Sequence, residues 1–161
     1  MNRTKKVFAA SAMALIVGGF GFAAVAQAAP GQGTVATNSF TGVLDGSASD
    51  STKATQDGVT LKTTAETSVT TFDLTYPPGS YSGWHSHPGI VIAVVRSGSV
   101  VRQVGCTSQT FTAGQSFTEV GTHYVSNPGN VDAVLSITRI YPTSMPTKRY
   151  EQDAPTCPPR S

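Results

Sequence analysis

The second half of the chain alternates apolar and polar residues with a period of two. Phe72, Leu74 and Tyr76 are separated by polar residues, the pattern of a strand with one buried face. Val131, Ala133, Leu135 and Ile137 repeat it and predict a long strand to about Tyr141. Residues 90–95, Ile-Val-Ile-Ala-Val-Val, are too short and too closely bounded by turns for a helix, and predict a strand buried on both faces. Shorter strands are predicted at 100–104 and 116–120, with 105–110 as a loop followed by Phe111-Thr112, and 123–126 as a short segment between turns. Gly98, Gly114 and Gly121 fall between them, and Asn127-Pro128-Gly129-Asn130 is strong turn chemistry. Short strands at intervals of about ten residues, with no helical period beyond the first 28 residues, predict an all-β sandwich or barrel.

The flanking regions read differently. Residues 29–68 are rich in Gly, Thr, Ser and Asp and form a lead-in, with short strands expected at 39–44 and 59–63 and a polar loop at 45–52. The segment 69–141 is the predicted β core. From Pro142 the chain also holds Pro146, Pro155, Pro158 and Pro159, so residues 142–161 are expected to run over the surface as an extended strap, because proline cannot sit in a central ladder.

Residues 1–28 form an address. Arg3, Lys5 and Lys6 precede an apolar run to about Val25, and Ala26-Gln27-Ala28 offers the small residues read by a signal peptidase. The expectation is a signal peptide cleaved after Ala28 and a protein released outside the cell or held in the cell envelope, with no membrane segment after cleavage. An uncleaved anchor is the rival reading, since the run is nearly long enough to span a bilayer; its glycines and many alanines speak against it. Charge follows from this. The chain has 11 Lys+Arg against 9 Asp+Glu, and with three basic residues in the leader, eight remain against nine. No basic stripe is left, which excludes a nucleic-acid footprint.

The chemistry concentrates in the three histidines. His85 and His87 are one residue apart and point the same way from an extended strand, half of a site for a first-row metal. His123 lies in a short segment between turns. No spare histidine can serve as the base of a Ser-His-Asp arrangement, and the sequence holds no phosphate loop, CxxC pair or repeat. Cys106 and Cys157 are the two cysteines. In an exported chain they most simply form one disulfide tethering the strap; two free thiols or an intermolecular bridge are the alternatives.

Gly79, five residues, His85-Ser86-His87 and then Gly98 resemble the first signature motif of the cupins. His123 followed four residues later by Asn127, with Gly114 upstream, resembles the second. Ser-Gly-Trp-His-Ser-His-Pro-Gly at 82–89 is similar more narrowly to small secreted bacterial cupin-domain proteins. The resemblance covers about residues 72–137. It implies a single-domain double-stranded β-helix, or jelly-roll barrel, with the three histidines facing its mouth, and family members often dimerise. The family's metal-binding glutamate would fall at Val91, or at Ile92 in a longer variant, and neither can ligate. As written, the family's site of three histidines and one glutamate is absent.

Three outcomes follow from that departure. His85, His87 and His123 can hold one divalent ion (Fe, Mn, Zn, Ni or Cu) with water completing the shell, as in the three-histidine dioxygenases of this fold or a zinc site. Glu119, four residues before His123, can replace the carboxylate, since period-two parity allows the same face unless Gly121 turns the strand. Otherwise no metal binds. The function expected is a metal-dependent cupin acting on a small anionic molecule, for example as an oxygenase or isomerase; the alternative is a non-catalytic module binding a small ligand or an envelope partner. Trp84, Tyr81, Val91, Tyr124 and Gln103 are the candidates for lining the pocket, parity leaving open which of Gln103 and Arg102 faces inward. Asn127 reads as a turn former rather than a catalytic group.

Overall fold

The computed structural model describes residues 31–46 and 51–157, so the leader expected at 1–28 and its expected cleavage after Ala28 fall outside the described residues. Twelve strands and no helix occur among them. In chain order they are β1 (Val35–Val43), β2 (Thr52–Gln56), β3 (Val59–Thr63), β4 (Thr67–Tyr76), β5 (His85–Ser86) and β6 (Ile90–Ser97). The second half adds β7 (Ser99–Val104), β8 (Thr107–Thr112), β9 (Ser116–Glu119), β10 (His123–Ser126), β11 (Ala133–Pro142) and β12 (Tyr150–Glu151).

Two five-stranded antiparallel sheets, β1-β4-β11-β6-β9 and β12-β5-β10-β7-β8, enclose one core, the architecture of a jelly roll. Strands of the first sheet send alternate residues inward. Phe72 stands opposite Ile137 and Leu74 opposite Leu135, while Ile137 faces Ala93 and Leu135 faces Val95 across the next pairing. Val100, Phe111 and Val125 close the core from the second sheet.

Several elements differ from the sequence expectation, each for a local reason. β1 is longer than predicted and wholly exposed, held by its pairing with β4 and not by burial. The polar stretch before residue 56 makes β2, which pairs with β3 through Asp57 and Gly58, both at positive φ as a two-residue hairpin turn requires. β8 occupies most of the predicted loop 105–110, because Gly105 and Cys106 suffice to turn the chain back onto β7. β6 is buried on one face only: Val91, Ala93 and Val95 point inward, whereas Ile90, Ile92 and Val94 lie on the open outer face.

The strap after Pro142 also departs from a plain surface run. Tyr150 and Glu151 form β12 and pair with Ser86 and His85, adding an edge strand beside β5, a position that the flanking prolines allow. Beyond it, Cys157 is disulfide-bonded to Cys106 in the β7–β8 turn, across a sequence separation of 51. Asn127 is 1 % exposed; its amide donates to the Tyr76 and Val131 carbonyls and its carbonyl accepts from the Gly129 N–H. It organises the β10–β11 turn, as its sequence context suggested.

Candidate metal centre

Each histidine is placed by a different feature of the fold. His85 opens β5 and His123 opens β10, and the two are register partners. His87 lies just beyond β5, where Gly89 turns the chain into β6. Gly89 has φ +74, and a Cβ there would collide with the Ile140 carbonyl oxygen, so only glycine allows this turn. Glu119 ends β9, and Gly121, at φ +72, carries the chain across to β10 in the other sheet. The turn anticipated at Gly121 is real, and it brings Glu119 and His123 together.

The rings are oriented through their Nδ1 atoms. His85 Nδ1 lies 3.0 Å from the Gly83 carbonyl oxygen, His123 Nδ1 lies 2.9 Å from that of Gly121, and His87 Nδ1 lies 2.7 Å from that of Lys148 on the strap. A carbonyl only accepts, so each Nδ1 carries the proton and donates, leaving each Nε2 with a lone pair. The Nε2 atoms of His87 and His123 lie 3.5 and 3.4 Å from Glu119 Oε2. One ligand atom from each of His85, His87, Glu119 and His123 falls within 4.8 Å of all the others. Bonds of about 2.0–2.2 Å to one ion put donors on this scale of separation.

The electrostatics suit a cation. His85 and His123 are 4 % and 0 % exposed, and Glu119 is 8 % exposed. Burial, together with the neighbouring His123 and His87 rings, lowers the His85 pKa to about 3, keeping its imidazole neutral. Burial alone would raise the Glu119 carboxyl, but His123 and His87, when their Nε2 atoms also carry protons, donate to it and outweigh burial, holding the group well below the usual carboxylate range. His123 Nε2 is buried without a hydrogen-bond partner. Three lone pairs and one carboxylate thus converge in one largely buried cluster, an arrangement of acceptors that a cation satisfies. The donor set of three imidazoles and one carboxylate fits a first-row divalent ion.

A cavity of about 400 Å³ adjoins the cluster, lined by His85, His87 and Glu119. Phe72, Leu74 and Ile137 make its apolar wall; Tyr76, Ser82 and Arg139 come from the barrel, and Arg149 and Glu151 from the strap. Burial first, and then the Glu119 charge, push the Tyr76 phenol up, so it stays neutral. Arg149 donates to Glu151 and, at 2.6 Å, to the Ser82 carbonyl, pinning the strap over the opening.

The pocket candidates from the sequence are placed elsewhere. Val91 is 1 % exposed in the core. Tyr124 follows the inward His123 and therefore points outward; Tyr81 stacks on it at 5.9 Å and Trp84 lies against it at 5.7 Å. Gln103 pairs with Tyr124 on that outer face and donates to the Gly105 carbonyl. Arg102 pairs with buried Val125 and stacks over Phe111 and Phe117, so of the two it is the inward one. None of the five residues lines the cavity. Arg139 went unremarked in the sequence although a signal was there: it continues the inward row Ala133, Leu135, Ile137, where an arginine is out of place in a core. Arg149 and Glu151 carry no such signal, because they reach the cavity only through the pairing of β12 with β5.

A family model described as a cupin domain matches residues 72–138. These residues are a cupin domain. Comparison with curated proteins gives no match. Among solved structures, a cupin-like protein from Thermotoga maritima is 21% identical, the match covering 53% of this chain and 65% of that one, with a TM-score of 0.44. A predicted oxalate decarboxylase from the same organism is 21% identical over 48% of this chain and 81% of its own, with a TM-score of 0.41. The cupin domain of an XRE-family transcriptional regulator from Enterobacter cloacae is 22% identical over 45% and 80%, with a TM-score of 0.40. No residue role is carried over from likenesses so distant.

Within the cupin domain, the absence of a carboxylate inferred from Val91 is corrected by the geometry. Glu119 supplies a carboxylate beside the three histidines, from the strand next to the one where the motif would place it.

Proposed function

We propose that this cupin domain holds one divalent transition-metal ion through His85, His87, His123 and Glu119 and receives a small anionic molecule in the adjoining cavity. The convergence of four ligand atoms within 4.8 Å carries the reading. The three carbonyls that accept from the Nδ1 atoms add outer-shell support, by fixing tautomer and ring orientation. When bound, the ion supplies Lewis acidity and, if redox-active, electron transfer. Glu119 offsets one of its two charges, so the centre keeps a net positive charge that favours an anionic ligand. The apolar wall of Phe72, Leu74 and Ile137 excludes water from one side of that ligand. Residues 1–28 direct the protein out of the cytoplasm, so the metal is acquired in the envelope or outside the cell.

The test is metal analysis of protein purified from the exported fraction, with sequencing of its N-terminus. The expected result is close to one equivalent of a transition metal on a chain beginning at Ala29, and loss of that metal in His85→Ala. Far less than one equivalent, with uptake unchanged in His85→Ala, overturns the reading. Conversion of a bound molecule that stops on chelation distinguishes an enzyme from a binding module.

A further inference from the structure

Arg139 stands where a core residue belongs. On β11 it follows Ala133, Leu135 and Ile137 on the inner face, and it lines the cavity. Its guanidinium lies 4.8 Å over the Phe72 ring. Its Nε is buried without a hydrogen-bond partner, and among the described residues it forms no ion pair within 4.0 Å. The cavity's other arginine differs: Arg149 is engaged by both oxygens of Glu151 and by the Ser82 carbonyl. Its Nε is thus withdrawn from water without an acceptor while the side chain as a whole is half-buried, and a ligand in the cavity can supply that acceptor. One lateral row of the sheet runs Thr70, Arg139, Val91, Glu119. Arg139 and Glu119 are thus two strand spacings apart, about 10 Å between backbones, on the same inner face.

We infer that Arg139 anchors the carboxylate of the ligand, and that the ligand is a small carboxylic acid with an apolar body lying on Phe72, Leu74 and Ile137. This deepens the proposed function by naming the substrate class of the same cavity, and it requires the arginine and not the metal. A single planar guanidinium fork matches a planar carboxylate. A tetrahedral dianion needs more donors than Arg139 alone offers, and Glu119 and Glu151 disfavour a second negative charge. A cavity of about 400 Å³ is at the small end of ligand pockets, room for an aryl or branched aliphatic acid.

The experiment measures binding of 3-phenylpropanoate, 3-phenylpropanamide and propanoate by calorimetry, to the zinc-loaded protein and to the chelator-stripped protein. In both forms the acid is expected to bind about 10- to 100-fold more tightly than its amide, the range that loss of one charged hydrogen-bonded pair produces, and propanoate to bind at least about tenfold more weakly than the aryl acid. Arg139→Gln should abolish the preference for acid over amide while still taking up zinc, and Arg139→Lys should keep part of it. Equal binding of acid and amide to the wild type overturns the inference without recourse to a variant. So does an unchanged preference in Arg139→Gln, or absence of binding by either acid at millimolar concentration. A protein that takes up no zinc but keeps the preference refutes the metal centre and leaves Arg139 standing; zinc uptake without the preference does the reverse.

Discussion

Val91 and Glu119 are register partners across the β6–β9 pairing. Paired residues project from the same face with Cβ atoms about 4.5–5.5 Å apart, so Glu119 enters the barrel one strand beside the position where the cupin motif carries its glutamate. Relative to the motif, the carboxylate has stepped sideways along the sheet and kept its depth.

That pairing makes the carboxylate movable. Glu119→Gln is expected to weaken metal binding by more than the about 10- to 100-fold that loss of an outer-shell partner costs. Joining Val91→Glu to Glu119→Val should restore part of the affinity. Because a buried carboxylate is unfavourable without a cation beside it, the double variant should melt at a clearly higher temperature with metal than without. Titration with a competing chelator and thermal melts with and without zinc check both statements.

The strap should control the centre through His87, whose Nδ1 is held by the Lys148 carbonyl. Cys106 and Cys157 fix the far end of that strap. Cys157→Ser is expected to speed metal release and lower affinity by about tenfold, and to reduce stability by up to about 4 kcal/mol through the loop no longer closed. Treatment of the wild type with a reductant should reproduce the faster release. Unchanged release would mean that β12 and the Arg149 contacts hold the strap unaided.

Acid should destabilise the metal-free protein through the same residues. His85 titrates near its ordinary 6.5 when unfolded and at about 3 when folded, so between these values the unfolded chain binds the extra proton. Its contribution is complete above about pH 6.5 and is lost as pH falls toward 3. Glu119 is also lowered, from 4.5, and its contribution is present above that value and lost as the folded carboxyl takes up its proton. Both act in the same direction. Urea midpoints should be level from about pH 7 to 8 and fall progressively below about pH 6.5, and His85→Asn should flatten the part of the fall above pH 4.5.

Asn127 occupies a position that the family motif shares with its ligand histidine, yet its three hydrogen bonds all go to backbone. Asn127→Ala is expected to cost about 3 kcal/mol, at about 1 kcal/mol for each bond. Metal stoichiometry should stay unchanged. Denaturant melts paired with metal analysis separate these effects.

The histidines and the long strands were legible because each depends on local spacing. The alternation at Phe72, Leu74 and Tyr76, and again at Ala133, Leu135 and Ile137, reports a buried face directly, and His85-Ser-His87 shares a face by parity alone. What stayed hidden depends on pairing between distant strands. β2 and β8 are polar and are held by their ladders, so they show no apolar period. The outward turn of Tyr124 could be read only after His123 was known to face inward. The inward row on β11 was recognised, but it was followed only to Ile137, one step short of Arg139.

One contact also sets an order of events in time. The carbonyl that seats His87 lies 61 residues further along the chain, beyond β9 and β10, which carry Glu119 and His123. During synthesis all four of His85, His87, Glu119 and His123 are therefore joined to the chain before Lys148 is added. Until the strap docks, His87 has no partner to fix its tautomer, and the four-residue cluster is completed by the segment that arrives after it.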